Sequence, residues 1–151
     1  MTDNPIQVWF RAISAGLGFA QRGSSAHRQT DDVIQVVNLQ KSTYGSFYYI
    51  NLGIALKSLG AANRPREEQC HIRIRMTGLL GDAARDLDSL LDLESPVEAG
   101  ERILRLEGMA GDAIRQFTES ASTMSGLRSL YRSGVLSNAW IEKRARAELE
   151  N

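Results

Sequence analysis

The sequence predicts an α+β fold: an N-terminal helix, an antiparallel sheet of about four strands over residues 24–76, and a C-terminal set of helices packed on that sheet. Three observations predict it. Apolar residues recur at helical spacing from Ile6 to Leu17, the period shortens to that of extended chain between Ser25 and Met76, and helical spacing returns after Gly78. No linker or low-complexity run interrupts the 151 residues, so one domain over 1–151 is expected. Residues 1–76 supply the helix and sheet of that domain, and 77–151 its helical part.

Asn4-Pro5 opens the first helix, an amide cap followed by a ring whose preset φ suits the first turn. Ile6, Trp9, Phe10, Ile13 and Leu17 then share one face. Asp31-Asp32 reads as a tight turn between two extended runs. Val33–Ser42 is β-branched, Thr43–Ser46 makes a hairpin loop, and Phe47–Leu56 carries the strongest strand signal. Gly60–Glu68 is a polar loop, after which Cys70–Met76 alternates as a fourth strand. Leu80, Ala83, Ala84, Leu87, Leu90 and Leu91 then form a helical stripe. Ser95-Pro96-Val97-Glu98 resembles a capping box, which predicts a helix start there. The stripe Ile103 to Phe117 is interrupted near Gly108 or Gly111, and a short helix around Leu127–Arg132 ends at Gly134. Ser137 caps the last helix, with Leu136 and Ile141 at staple spacing.

Composition narrows the function. No apolar run reaches the roughly 18 residues a membrane span needs, and the start of the chain lacks a secretory pattern. A lone cysteine, Cys70, forms no intramolecular disulfide, so a cytoplasmic protein without a membrane partner is expected. Net charge is zero, yet residues 1–76 hold nine Lys+Arg against five Asp+Glu, and residues 77–151 nine against thirteen. The simplest expectation is that the two halves neutralise each other, with sheet arginines paired to acidic helices from residues 82–119.

The segments Val36–Ser42, Tyr48–Ile54 and Cys70–Arg75, in this order and spacing, resemble a bacterial family of uncharacterised proteins, domain of unknown function 4304. The resemblance covers about the first 76 residues, including the leading helix. It implies the fold and carries no activity to transfer.

Strand alternation yields the candidate site. In Cys70–Met76, one face receives Cys70, Ile72, Ile74 and Met76, a core set; the other receives His71, Arg73 and Arg75. In Phe47–Leu56, Tyr48, Ile50, Leu52, Ile54 and Leu56 face the core, leaving Phe47, Tyr49, Asn51 and Gly53 opposite. Asn38 and Gln40 share a face of the preceding strand. The noncore face is therefore expected to gather Asn38, Gln40, Tyr49, Asn51, His71, Arg73 and Arg75 as a binding surface for a protein partner or an anionic ligand. Arginine forks suit such groups, and Gly53 would admit a ligand close to the backbone.

The leading expectation is a non-enzymatic binding protein with no cofactor and no catalytic residue. One alternative is an enzyme on an anionic or phosphate-bearing substrate, with His71 as acid–base and Arg73 and Arg75 holding the anion. A second is a nucleic-acid-binding module, in which Tyr49 or Phe47 stacks a base. Cys70 and His71 are adjacent in the chain and point apart, which argues against a catalytic dyad. One cysteine with His27 and His71 is too few ligands for structural zinc. Trp9, Phe10 and Trp140 fall in apolar helical stripes and are expected in the core.

Overall fold

Asn4 caps the first helix as its sequence demands: its side chain accepts from the Gln7 amide, and the Gln7 side chain accepts from the Asn4 amide. The computed structural model describes residues 3–151. From that cap α1 runs Pro5–Gly16 and buries Ile6, Trp9, Phe10 and Ile13. The sheet follows as β1 (Ala20–Arg22), β2 (Ser25–Gln29), β3 (Val33–Lys41), β4 (Tyr48–Leu56) and β5 (Ile72–Arg75). Each pairs antiparallel with its predecessor, and β6 (Trp140–Ile141) adds to the far edge beside β5.

The antiparallel α+β architecture stands, with six strands in place of four. Both extra strands are two or three residues long, too short for a period to register. Two boundaries also move. The fourth expected strand spans only Ile72–Arg75, because a bend covers Cys70 and His71 and Met76 already begins α2 (Met76–Leu80).

The remaining helices are α3 (Ala84–Leu90), α4 (Ala99–Leu106), α5 (Asp112–Ser120), α6 (Met124–Arg132) and α7 (Lys143–Leu149). The interruption expected near Gly108 or Gly111 is a π-helical turn, Glu107–Gly111, joining α4 to α5. The widened turn keeps Leu106, Ala110 and Ile114 all buried. Helix α4 starts at Ala99, later than the Ser95 motif suggested, because the Glu98 carboxylate accepts from the Gly100 and Glu101 amides. Gly134 at φ +88° ends the α6 region, as expected. The last helix begins after Glu142 and not at Ser137, since Trp140 and Ile141 are taken by the sheet.

One face of the sheet meets the helices. Val33, Val37 and Leu39 of β3, Ile50, Leu52, Ile54 and Leu56 of β4, and Ile72 and Ile74 of β5 join α1 and Leu87, Leu90, Leu106, Ile114 and Leu127 in a single apolar cluster. The opposite face is covered over one part by the segment 60–70 between β4 and β5. There Ile34, Val36, Ala55 and Cys70 form a second, small cluster, and His27 Nε2 bonds the Pro65 carbonyl at 2.8 Å. The rest of that face stays open.

Candidate binding face

The register of the sheet sets side chains in rows across the open face. One row reads Arg22, Ser25, Asn38, Asn51, Arg75 across β1 to β5. A second reads His27, Val36, Gly53, Arg73, Trp140 across β2 to β6. Gln40 and Tyr49 pair in a third. Six of the seven expected residues, Asn38, Gln40, Tyr49, Asn51, Arg73 and Arg75, thus share one surface.

Their contacts form a chain of amides that positions Arg75. The Asn51 side-chain amide donates to Asn38 Oδ1 at 3.1 Å and to Gln40 Oε1 at 2.9 Å. That orientation turns Asn51 Oδ1 toward Arg75 Nε, which donates to it at 3.2 Å. Asn38 in turn donates to Ser25 Oγ at 3.0 Å. The Arg75 guanidinium lies 4.0 Å above the Tyr49 ring centre, a cation–π contact that holds it flat on the sheet. A guanidinium has five N–H donors. Arg75 directs one to Asn51 and a long contact of 3.5 Å to Gln40, and no carboxylate pairs with it among the described residues.

Arg73 differs. It is tied to Glu67 through Nε at 3.2 Å and Nη2 at 3.5 Å, and it stands 5.7 Å over the Trp140 ring. Between Arg73, Arg75, Asn51, Glu67, Asn138 and Trp140 runs a shallow groove of about 280 Å³. Trp140 is 53% exposed, a correction to its expected place in the core. Its place on β6, opposite Arg73 of β5, turns its ring to the open face. Glu67, placed by the sequence in a polar loop, is the counter-ion of Arg73.

His71 leaves the set. The bend before β5 breaks the alternation, and the imidazole is buried at 5% exposure. Nδ1 accepts the Leu56 amide at 2.8 Å, so the proton sits on Nε2, which faces Glu142 at 3.8 Å. Burial holds the ring's pKa below the usual histidine value, against the pull of Glu142. His71 is a tie between the end of β4 and the start of α7.

The same bend reverses Cys70. It packs with Ile34, Val36 and Ala55 on the open-face side instead of the helical core. Its thiol is pushed up to about 12 by burial, with the Glu67 carboxylate adding to the effect. A Cβ on Gly53 would stand 2.7 Å from its Sγ. The close approach that Gly53 permits is therefore made by Cys70 and not left for a ligand.

The expected neutralisation of the halves is not made by direct arginine–carboxylate pairs among the described residues; Glu119 acts on Arg28 only through its field. Arg73 pairs with Glu67 in its own half, and every other arginine–carboxylate pair among the described residues likewise joins groups within 1–76 or within 77–151. Asp82, Asp86 and Asp88, around and within α3, belong to none of these pairs. The basic sheet face and the acidic helical side remain separate surfaces.

The chain belongs to the family described as Domain of unknown function (DUF4304), which matches residues 14–120. The matched stretch runs from within α1 through β1–β5 to the end of α5, well past residue 76. Trp140 and β6 lie beyond it. No curated protein and no solved structure matched the chain. No helix of the described residues is long and apolar enough to cross a membrane.

Proposed function

We propose that this member of the DUF4304 family is a non-enzymatic, cytoplasmic interaction protein that holds an acidic protein partner against its open sheet face. The observation that carries the reading is Arg75, a guanidinium held by Asn51 and Tyr49 on the open face with no carboxylate pairing it among the described residues. Arginine, tyrosine and tryptophan are the residues on which protein interfaces concentrate their energy, and Arg75, Tyr49 and Trp140 lie together here. The uncompensated charge of the basic half supports an acidic partner.

The enzymatic alternative loses its acid–base group. His71 Nδ1 is already bonded to the backbone, and the Cys70 thiol is held protonated. The nucleic-acid alternative gains a second aromatic, since Trp140 joins Tyr49 on one face. Glu67, set in the same groove, opposes a phosphate chain there.

The test is affinity capture from the cell of origin with the native chain, an Arg73→Ala/Arg75→Ala variant, and an Arg132→Ala control on α6. The native chain and the control are expected to retain a common partner that the double variant loses. Unfolding free energy of the double variant should stay within about 1 kcal/mol of the native value. Equal capture by all three chains, or a double variant that unfolds, removes the reading.

A further inference from the structure

A cleft of about 420 Å³ lies beside the open face. Phe10 and Arg11 of α1 form one wall, the β1–β2 turn at Gly23-Ser24 closes one end, and four consecutive residues, Asn38, Leu39, Gln40 and Lys41, form the other wall. Consecutive strand residues point to opposite faces. Asn38 and Gln40 belong to the open face, and Leu39 and Lys41 to the helical one. All four can border one cleft only if it opens onto what they share, the main-chain edge of β3.

Past the Leu39 amide that edge is free, because β2 is shorter than β3. The last paired residue of β2 is Ser25, opposite Asn38, and the chain then turns away into β1. The Leu39 amide donates to Ser24 O at 2.9 Å, and the Ser42 amide donates to Phe47 O on the β4 side at 2.9 Å. By alternation, the Lys41 N–H and C=O point away from β4, into the cleft. An edge with open donors and acceptors is a template for another strand.

We infer that the partner engages by strand addition: an extended, acidic segment lies along β3 at Leu39–Lys41, between α1 and the open face. Charge selects an acidic occupant. Arg11 already holds Asp3 at 2.6 Å, whereas Lys41 is exposed and without an ion pair among the described residues. Continuity selects the same partner as the sheet face, because Gln40 borders the cleft and also accepts from Asn51 in the Arg75 network. Side chains of an added strand alternate, so one set meets Phe10, Arg11 and Lys41 while the other lies over Gln40. The inference rests on the proposed protein-binding role and specifies how it is performed.

The probe is a labelled, N-acetylated hexapeptide of alternating Glu and Val, titrated into the full chain and read by fluorescence anisotropy. Saturable binding is expected, weakened about tenfold when alternate peptide nitrogens of the probe are methylated. Lys41→Gln removes the charge and keeps the N–H; Lys41→Pro removes both, at an edge position that tolerates proline. Lys41→Pro should therefore bind about tenfold more weakly than Lys41→Gln. Inorganic phosphate should not displace the peptide. Lack of binding, indifference to methylation, or displacement by phosphate overturns strand addition, the last two leaving a simple anion site. If Lys41→Pro does not fold, the methylated probe decides alone. A failed peptide titration with partner capture still dependent on Arg73 and Arg75 sinks only the strand. The converse sinks the face and spares the strand.

Discussion

Arg102 should prove to be a structural clamp, and replacing it with alanine should cost the protein about 4 kcal/mol. Its side chain is buried at 2% exposure, and no carboxylate pairs with it among the described residues. Nη1 donates to Leu90 O at 2.6 Å and Asp92 O at 2.9 Å, with Ser89 O farther at 3.4 Å; Nη2 donates to Ser95 O at 2.9 Å. These are the carbonyls at the end of α3 and in the turn after it, where the helix dipole favours a cation. Three well-formed bonds to a charged donor, at roughly 1.5 kcal/mol each, give about 4.5 kcal/mol. Water entering the vacated space returns part of that. For a chain of this size the loss corresponds to a fall in Tm of about 10 °C.

The same clamp positions the candidate face, because Tyr48 N donates to Leu91 O at 3.0 Å and Leu93 N to Ser46 O at 2.9 Å. Urea unfolding of Arg102→Ala, followed by tryptophan fluorescence, measures the loss, and hydrogen exchange should show faster opening at the Tyr48 and Leu93 amides. Arg102→Lys, which cannot reproduce the fork, should recover less than half. A loss below about 1 kcal/mol for Arg102→Ala would mean that the carbonyls are adequately met by water and that the clamp is unimportant.

Gly53→Ala forces a Cβ to 2.7 Å from Cys70 Sγ and 3.0 Å from Cys70 Cβ, which should destabilise the chain by about 2 kcal/mol. Adding Cys70→Ala should recover part of this, so equal costs in both backgrounds would contradict the packing described. His71 gives a pH signature. Its folded pKa is lowered by burial, so the unfolded chain takes up the proton first, and stability falls as pH drops from the ordinary histidine value near 6.5 toward the folded one. His71→Asn, whose side-chain oxygen can accept the Leu56 amide, should lack that part of the loss; identical urea midpoints against pH for the two chains would remove His71 as its source.

The sheet was legible because its core strands alternate cleanly. Ile50, Leu52, Ile54, Ile72 and Ile74 can only lie on one side, and that alone placed Tyr49, Asn51, Arg73 and Arg75 on the other. The same parity failed at Cys70 and His71, where the chain bends before the ladder begins and two residues exchange sides. Trp140 was hidden for a different reason. Two residues of strand between a turn and a helix have no period, and their pairing with β5 depends on every helix before them. Arg102 carries no local signal at all, since its carbonyl partners come from residues 89–95 and converge only once α3 and α4 have packed.

The charge pattern had a sequence signature whose simplest interpretation, direct pairing of sheet arginines with helical carboxylates, is not what the fold builds. A basic first half and an acidic second half suggest internal neutralisation, but helices pack on the apolar face of this sheet while Arg73 and Arg75 lie on the other, and Arg28, on the helical side, spends its donors on Gln35 and on the Leu17 and Thr118 carbonyls. Layer geometry keeps Arg73 and Arg75 apart from the helical carboxylates regardless of their attraction, because a long charged side chain stays better solvated at the surface than buried across a core. What remains is a molecule of zero net charge with a basic sheet face and an acidic helical side. Such a distribution steers an acidic partner toward Arg75 while giving no general affinity for polyanions, and the steering should weaken as added salt shortens the reach of the field. Stopped-flow association of the captured partner should therefore slow with salt in the native chain and lose most of that dependence in Arg73→Ala/Arg75→Ala. A salt response equal in the two chains would place the attraction elsewhere on the surface.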